Sequence, residues 1–208
     1  MSTEITSGSI IAAAIIAVIW LILLRITKKA ALPAWHFVAG SAGLFVLMML
    51  LVRPVATMPL ARAVCALAGL IGRIGNTFTA YFKFSIVYIP VADGGMTLLV
   101  DLECSGVIEL MAFFSLLLFF NVYTAAEKAV VGIASFCYIM IANALRITLI
   151  CLIVHFFGQG AYGVAHAFIG RIFFYLLSIY LYFMVFTKPQ VIKMRIGSFT
   201  YDRSKSDS

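Results

Sequence analysis

The chain has 208 residues, 64% of them hydrophobic and only 11% charged, with a formal net charge of +7. So much apolar surface in long uncharged runs cannot be buried in one soluble core, which excludes an ordinary soluble domain and points to bilayer spans. The positive charge collects at the ends of apolar runs and in the tail, where membrane topology accounts for it, so no nucleic-acid partner is expected.

Residues 5–24 carry no charge and are followed by Arg25, Lys28 and Lys29, against only Glu4 and the chain amino group before them. Without a basic leading segment or a small-residue cleavage site, this stretch reads as a first span with its basic end cytoplasmic, not as a signal peptide. The uncharged run 32–52 is long enough to return to the outer face. Within 60–72, the run 60–71 is apolar but short, interrupted by Arg62 and followed by Gly72, Arg73, Gly75 and Asn76. Residues 60–72 are expected as an interfacial or re-entrant helix, with a sixth crossing as the alternative.

From Tyr81 the pattern changes to a period of two, with Phe82, Phe84, Ile86 and Tyr88 alternating with Lys83, Ser85, Val87 and Ile89. After Pro90 and the turn signal Asp93-Gly94-Gly95, the stretch from Met96 to Glu103 is extended again. Residues 81–103 are therefore expected to form a β-hairpin, held at the membrane surface because unpaired strand edges cannot sit in lipid.

Three further spans are expected over 107–126, 128–157 and 167–187, followed by a basic cytoplasmic tail, 188–208, with Lys188, Lys193, Arg195, Arg203 and Lys205. If Lys128 marks the cytoplasmic face, Arg146 stands 18 residues further along, about 27 Å away at about 1.5 Å per residue, and so at the outer face. The expected fold is an all-α polytopic membrane protein, a single integral membrane domain over 1–208. It has about five transmembrane helices, or six if 60–72 crosses, and a short extracytoplasmic β-hairpin before the helix that follows Cys104. An outer amino terminus, five spans and an inner tail agree in parity. They place Cys104, Arg146 and His166 at one outer face although these lie 42 and 20 residues apart. Arg53, Arg62, Arg73 and Lys83, in the segment placed outside, run against the charge rule.

Cys104 lies in Asp101-Leu102-Glu103-Cys104-Ser105-Gly106-Val107-Ile108-Glu109, where an extended stretch hands over to an apolar helix. A helix amino terminus favours a thiolate, Ser105 can cap the helix, and Gly106 can let backbone or substrate approach. Glu103 and Glu109 act the other way, as nearby negative charge. The competing reading is a small packing residue, the one that fits Cys65, Cys137 and Cys151. Arg146 is either an interfacial arginine snorkelling to the headgroups or a fixed fork of donors for a developing oxyanion, with Asn143 one turn earlier to orient it. His166 is either an interfacial polar residue or the base that takes a thiol proton and returns it to a leaving amine. His155, inside an apolar helix, is its structural rival. The cysteine spacings fit neither a disulfide framework nor a zinc site, and no phosphate or dinucleotide fingerprint occurs, so no metal and no cofactor are expected.

At these positions the chain resembles the exosortase and archaeosortase family. The resemblance rests on the Cys104 stretch above, on Asn143-Ala144-Leu145-Arg146-Ile147, and on Ala165-His166-Ala167-Phe168-Ile169-Gly170 followed by Phe173-Phe174. It is most similar to the compact exosortases of Gram-positive bacteria; many larger relatives carry more spans and an aromatic where Arg171 stands. The resemblance implies a thiol transpeptidase or endopeptidase with Cys104 as nucleophile, His166 as acid and base, and Arg146 as oxyanion stabiliser. It implies a multi-pass protein of the cell membrane with its site at the extracytoplasmic face. Its partners would be membrane lipids and exported proteins carrying a C-terminal motif, a transmembrane helix and a basic tail. These would be cleaved through a Cys thioester and passed to an acceptor or to water. A non-catalytic transporter or assembly scaffold is the alternative from another class, but a transporter places its charges near the midplane and often shows duplicated halves, and neither is visible in the sequence.

Overall fold

The computed structural model describes residues 7–91, 94–102 and 104–191, with 7–11 as backbone only. Helix α1 (Ser7–Lys29) ends on Lys28 and Lys29, cations in the last turn where the helix dipole favours them. A short turn with Ala31 in the left-handed region (φ 51°) leads to α2 (Pro33–Leu51), which opens on a proline whose missing N–H has no intrahelical partner to lose. Trp20 of α1 donates its indole N–H to the Ala39 carbonyl of α2 at 3.0 Å and so fixes the pair.

Helix α3 (Arg53–Gly75) follows α2 after one residue, Val52, whose own torsions are helical (φ −89°, ψ −40°). The two helices are thus joined without an intervening loop, and Pro54 falls in the first turn of α3, where its missing N–H costs no intrahelical bond. Over 60–72, expected as a short interfacial or re-entrant piece, the helix is part of a continuous run of 23 residues that ends on Asn76 in the left-handed region. Four described helices are long and apolar enough to cross a membrane: α2, α3, α5 (Ala125–Phe157) and α6 (Gln159–Val191).

Helix α4 (Val107–Phe119) has only 13 residues, about 20 Å at about 1.5 Å per residue, less than a bilayer core of about 30 Å. It is shorter than the expected span 107–126 because Phe120 turns extended and Thr124 starts a new helix with a capping box. The Thr124 hydroxyl accepts from the Glu127 N–H, and the Glu127 carboxylate accepts from the Thr124 N–H. Parts of the expected span 5–24 and of the expected tail 188–208 lie outside the described residues.

The expected hairpin is a three-stranded antiparallel sheet. Strand β1 (Thr79–Tyr81) pairs with β2 (Ile86–Val91), which pairs with β3 (Gly94–Leu99) in the register Tyr88 with Thr97 and Ile89 with Met96. The alternation from Tyr81 is interrupted by a single turn at Phe82–Phe84 and by Ser85 at φ 55°. That turn makes room for the extra strand. Asp93 of the turn signal lies outside the described residues. The sheet buries Val87, Ile89 and Leu98 and leaves Tyr88 exposed, with Val100 just beyond β3 buried and Phe82 and Phe84 of the turn exposed.

The core forms where α3, the sheet, α4 and α6 meet α5. Of the four long helices α5 is the most buried and α2 the least. At 33 residues α5 is about 50 Å long and exceeds a bilayer core of about 30 Å. At its far end the His155 ring meets the Pro90 carbonyl at 2.8 Å. A carbonyl only accepts, so Nδ1 carries the proton and ties the sheet to the helix.

Candidate active site

The cysteine stretch folds as a turn that delivers Cys104 to the start of α4. The Cys104 N–H donates to the Asp101 carbonyl at 3.2 Å, and the Ser105 hydroxyl donates to the Leu102 carbonyl at 2.9 Å while accepting from the Val107 N–H at 3.4 Å. The residue at the cap is Gly106, in the left-handed region at φ 72°, so Ser105 serves the helix start from one position earlier. Cys104 and Ser105 are both fully buried. Glu103 lies outside the described residues.

Asn143 joins this turn to α5. Its side-chain amide donates to the Cys104 carbonyl at 2.5 Å, and because a carbonyl can only accept, the bond fixes which way the amide points. Asn143 is fully buried, and its Oδ1 makes no hydrogen bond among the described residues. From the sequence Asn143 was expected to orient Arg146; its observed bond is to the cysteine backbone. Gly106 makes room for that bond, since a Cβ there would stand 3.2 Å from the Asn143 amide nitrogen. A Gly106→Ala variant should lose roughly 1–2 kcal/mol to the left-handed backbone alone. It should also displace Asn143, so that thermal unfolding moves down and processing falls; unchanged stability would contradict this account.

Arg146, one turn beyond Asn143, is 4% exposed, and its Cζ lies 5.7 Å from the ring centre of Phe174 on α6. The guanidinium is therefore buried beside an aromatic ring, a contact that helps to make a buried cation tolerable. Glu109, in the first turn of α4, lies within the electrostatic reach of Arg146 as well. In sequence, Glu109 reads as a charge opposed to a thiolate; in the fold it lies within the electrostatic reach of Arg146.

His166 sits in Ala165–Ile169, a π-helical turn inside α6. The Gly170 N–H closes that turn on the Ala165 carbonyl. A Cβ at Gly170 would stand 2.9 Å from Ile150 and 3.0 Å from that carbonyl. Gly170 is thus needed both for the wide turn and for the approach of α6 to α5 one turn beyond Arg146. Single π turns of this kind reset the direction of side chains and recur at functional sites. The imidazole stacks on Tyr162, with ring centres 5.4 Å apart and planes 22° from parallel.

The structure thus joins the cysteine and arginine motifs directly through Asn143, and packs the histidine turn on the same stretch of α5. His155 is engaged with the sheet. Phe174 and Tyr162 are the partners that sequence reading missed as such. Phe174 stood in the histidine motif without a role, and Tyr162, four residues before His166, lies at helical spacing from it.

Chemically, the arrangement offers a thiol at a helix amino terminus, a permanently charged donor fork on the neighbouring helix and an imidazole on a third element. No curated protein and no solved structure matches the chain. The family model described as transmembrane exosortase matches residues 3–184 of the 208. With most of its length covered by that match, the chain belongs to the transmembrane exosortase family and carries a membrane transpeptidase-type function in the general sense.

Proposed function

We propose that the protein is a cysteine transpeptidase of the cell membrane that cleaves the C-terminal sorting signal of exported proteins. Its site lies at the extracytoplasmic face. The substrate is anchored by its own C-terminal helix and basic tail and presents a short motif to Cys104. Confinement of both partners to the bilayer raises their effective concentration without a tight protein contact. His166 takes the thiol proton as the sulfur attacks the scissile carbonyl, and Arg146 stabilises the oxygen that becomes negative. The carbon–nitrogen bond then breaks, His166 returns the proton to the leaving amine, and a thioester remains on Cys104. An amine or hydroxyl acceptor, or water, gives up a proton to His166 and resolves the thioester, restoring the thiol.

The observation that carries this reading is the bond from Asn143 to the Cys104 carbonyl, which connects two motifs 39 residues apart and sets the cysteine turn one helical turn from Arg146. Transfer through a thioester is tested with hydroxylamine. Added during turnover, it should divert the acyl-enzyme so that the cleaved protein ends in a hydroxamate. A product that remains a free acid at every hydroxylamine concentration would sink the covalent route.

A further inference from the structure

A hollow of about 690 Å³ lies between α3, β1 and α5, and its lining shares no residue with the catalytic turn. Ala66, Leu67 and Leu70 of α3, Ala80 of β1, and Met140 and Ile141 of α5 give it an apolar lining built partly from small residues. Its volume falls in the range of about 300–1,000 Å³ typical of small-molecule sites. One cation, Arg73 in the last turn of α3, also lines it. Arg73 is exposed and makes no hydrogen bond or ion pair among the described residues. A second exposed cation, Lys83, follows Phe82 of the lining.

An apolar hollow with an uncompensated guanidinium in its wall is complementary to a ligand with a hydrocarbon chain and an anionic head. In a protein of the bilayer the abundant molecule of that description is an anionic phospholipid, and basic pockets between membrane helices select such headgroups. We propose that this hollow is a binding site for one anionic phospholipid, an acyl chain lying along α5 between α3 and β1 and the phosphate meeting Arg73. Charge complementarity selects this occupant: a neutral helix of another protein would fill the apolar wall and leave the guanidinium unanswered.

The test is native mass spectrometry of the full chain in non-ionic detergent, titrated separately with phosphatidylglycerol, phosphatidylcholine and inorganic phosphate. One phosphatidylglycerol should bind roughly fivefold more tightly than phosphatidylcholine, the preference expected from one cation at the headgroup. Arg73→Gln should bring the two lipids within twofold of each other. Ala66→Phe should remove the tight site for both, with the thermal transition of each variant measured alongside. Equal binding of the two lipids by the unaltered chain, or a preference that survives Arg73→Gln, would overturn the proposal. So would inorganic phosphate binding as tightly as the lipid, which would make the site an anion site and not a lipid site, or copurification of a peptide in its place.

Discussion

Replacing Cys104 with alanine is expected to abolish processing of exported substrates while leaving the chain in the membrane at its normal level. Loss of a covalent nucleophile typically lowers turnover by roughly 10⁶-fold, far beyond what loss of a contact does. The fold should survive, because the cysteine is a fully buried small residue and alanine keeps its shape apart from the sulfur. The carbonyl that receives the Asn143 amide belongs to the backbone and is untouched by the substitution. Cys104→Ser should be nearly as inactive, since a hydroxyl is a far weaker acid and nucleophile than a thiol. The comparison is made on membrane fractions, with substrate cleavage followed by mass and the inserted chain quantified in parallel. A Cys104→Ala variant that processes substrate normally would remove the nucleophile.

The second large effect belongs to Arg146. Removing a donor aimed at a developing oxyanion lowers turnover by roughly 10²–10³-fold. Arg146→Lys should approach that loss despite keeping the charge, because a compact ammonium cannot reproduce the planar fork or its contact with the Phe174 ring. The loss should fall mainly on kcat, with KM changed much less. A purely structural arginine would behave differently: substitution would lower the thermal transition and the amount of inserted protein together with activity. Added guanidinium ion should restore part of the activity of Arg146→Ala if the lost group acts on the reaction, and none if its only task is to pack on Phe174.

The parts of this molecule legible in sequence were those encoded within a few neighbouring residues. The apolar runs, the extended region before Cys104 and the three motifs could all be read locally, and together they indicated a polytopic helical protein with a small β element. The extents of the helices were less legible, because charge marks where a run leaves the apolar region but not where a helix starts. Thr124 and Glu127 form a capping box that starts α5 at Ala125, a signal hidden inside a run that contains no charge before Glu127. Strand β1 was missed because its three residues are specified by pairing with β2 and not by their own alternation. The long-range contacts were the least legible. The Asn143 amide could have gone to Arg146 or to anything else one helical turn away, and only the fold brings the Cys104 carbonyl to it. The π turn at His166 likewise depends on Gly170 meeting Ile150 of another helix.

The most direct measurement is to trap the enzyme with an exported substrate, quench in acid, and map the covalent adduct by peptide mass spectrometry. The account predicts a thioester between the residue preceding the scissile bond and Cys104, absent from Cys104→Ala and accumulating when the acceptor is withheld. Efficient cleavage with no adduct at any time, or an adduct carried by Cys65, Cys137 or Cys151, would contradict it.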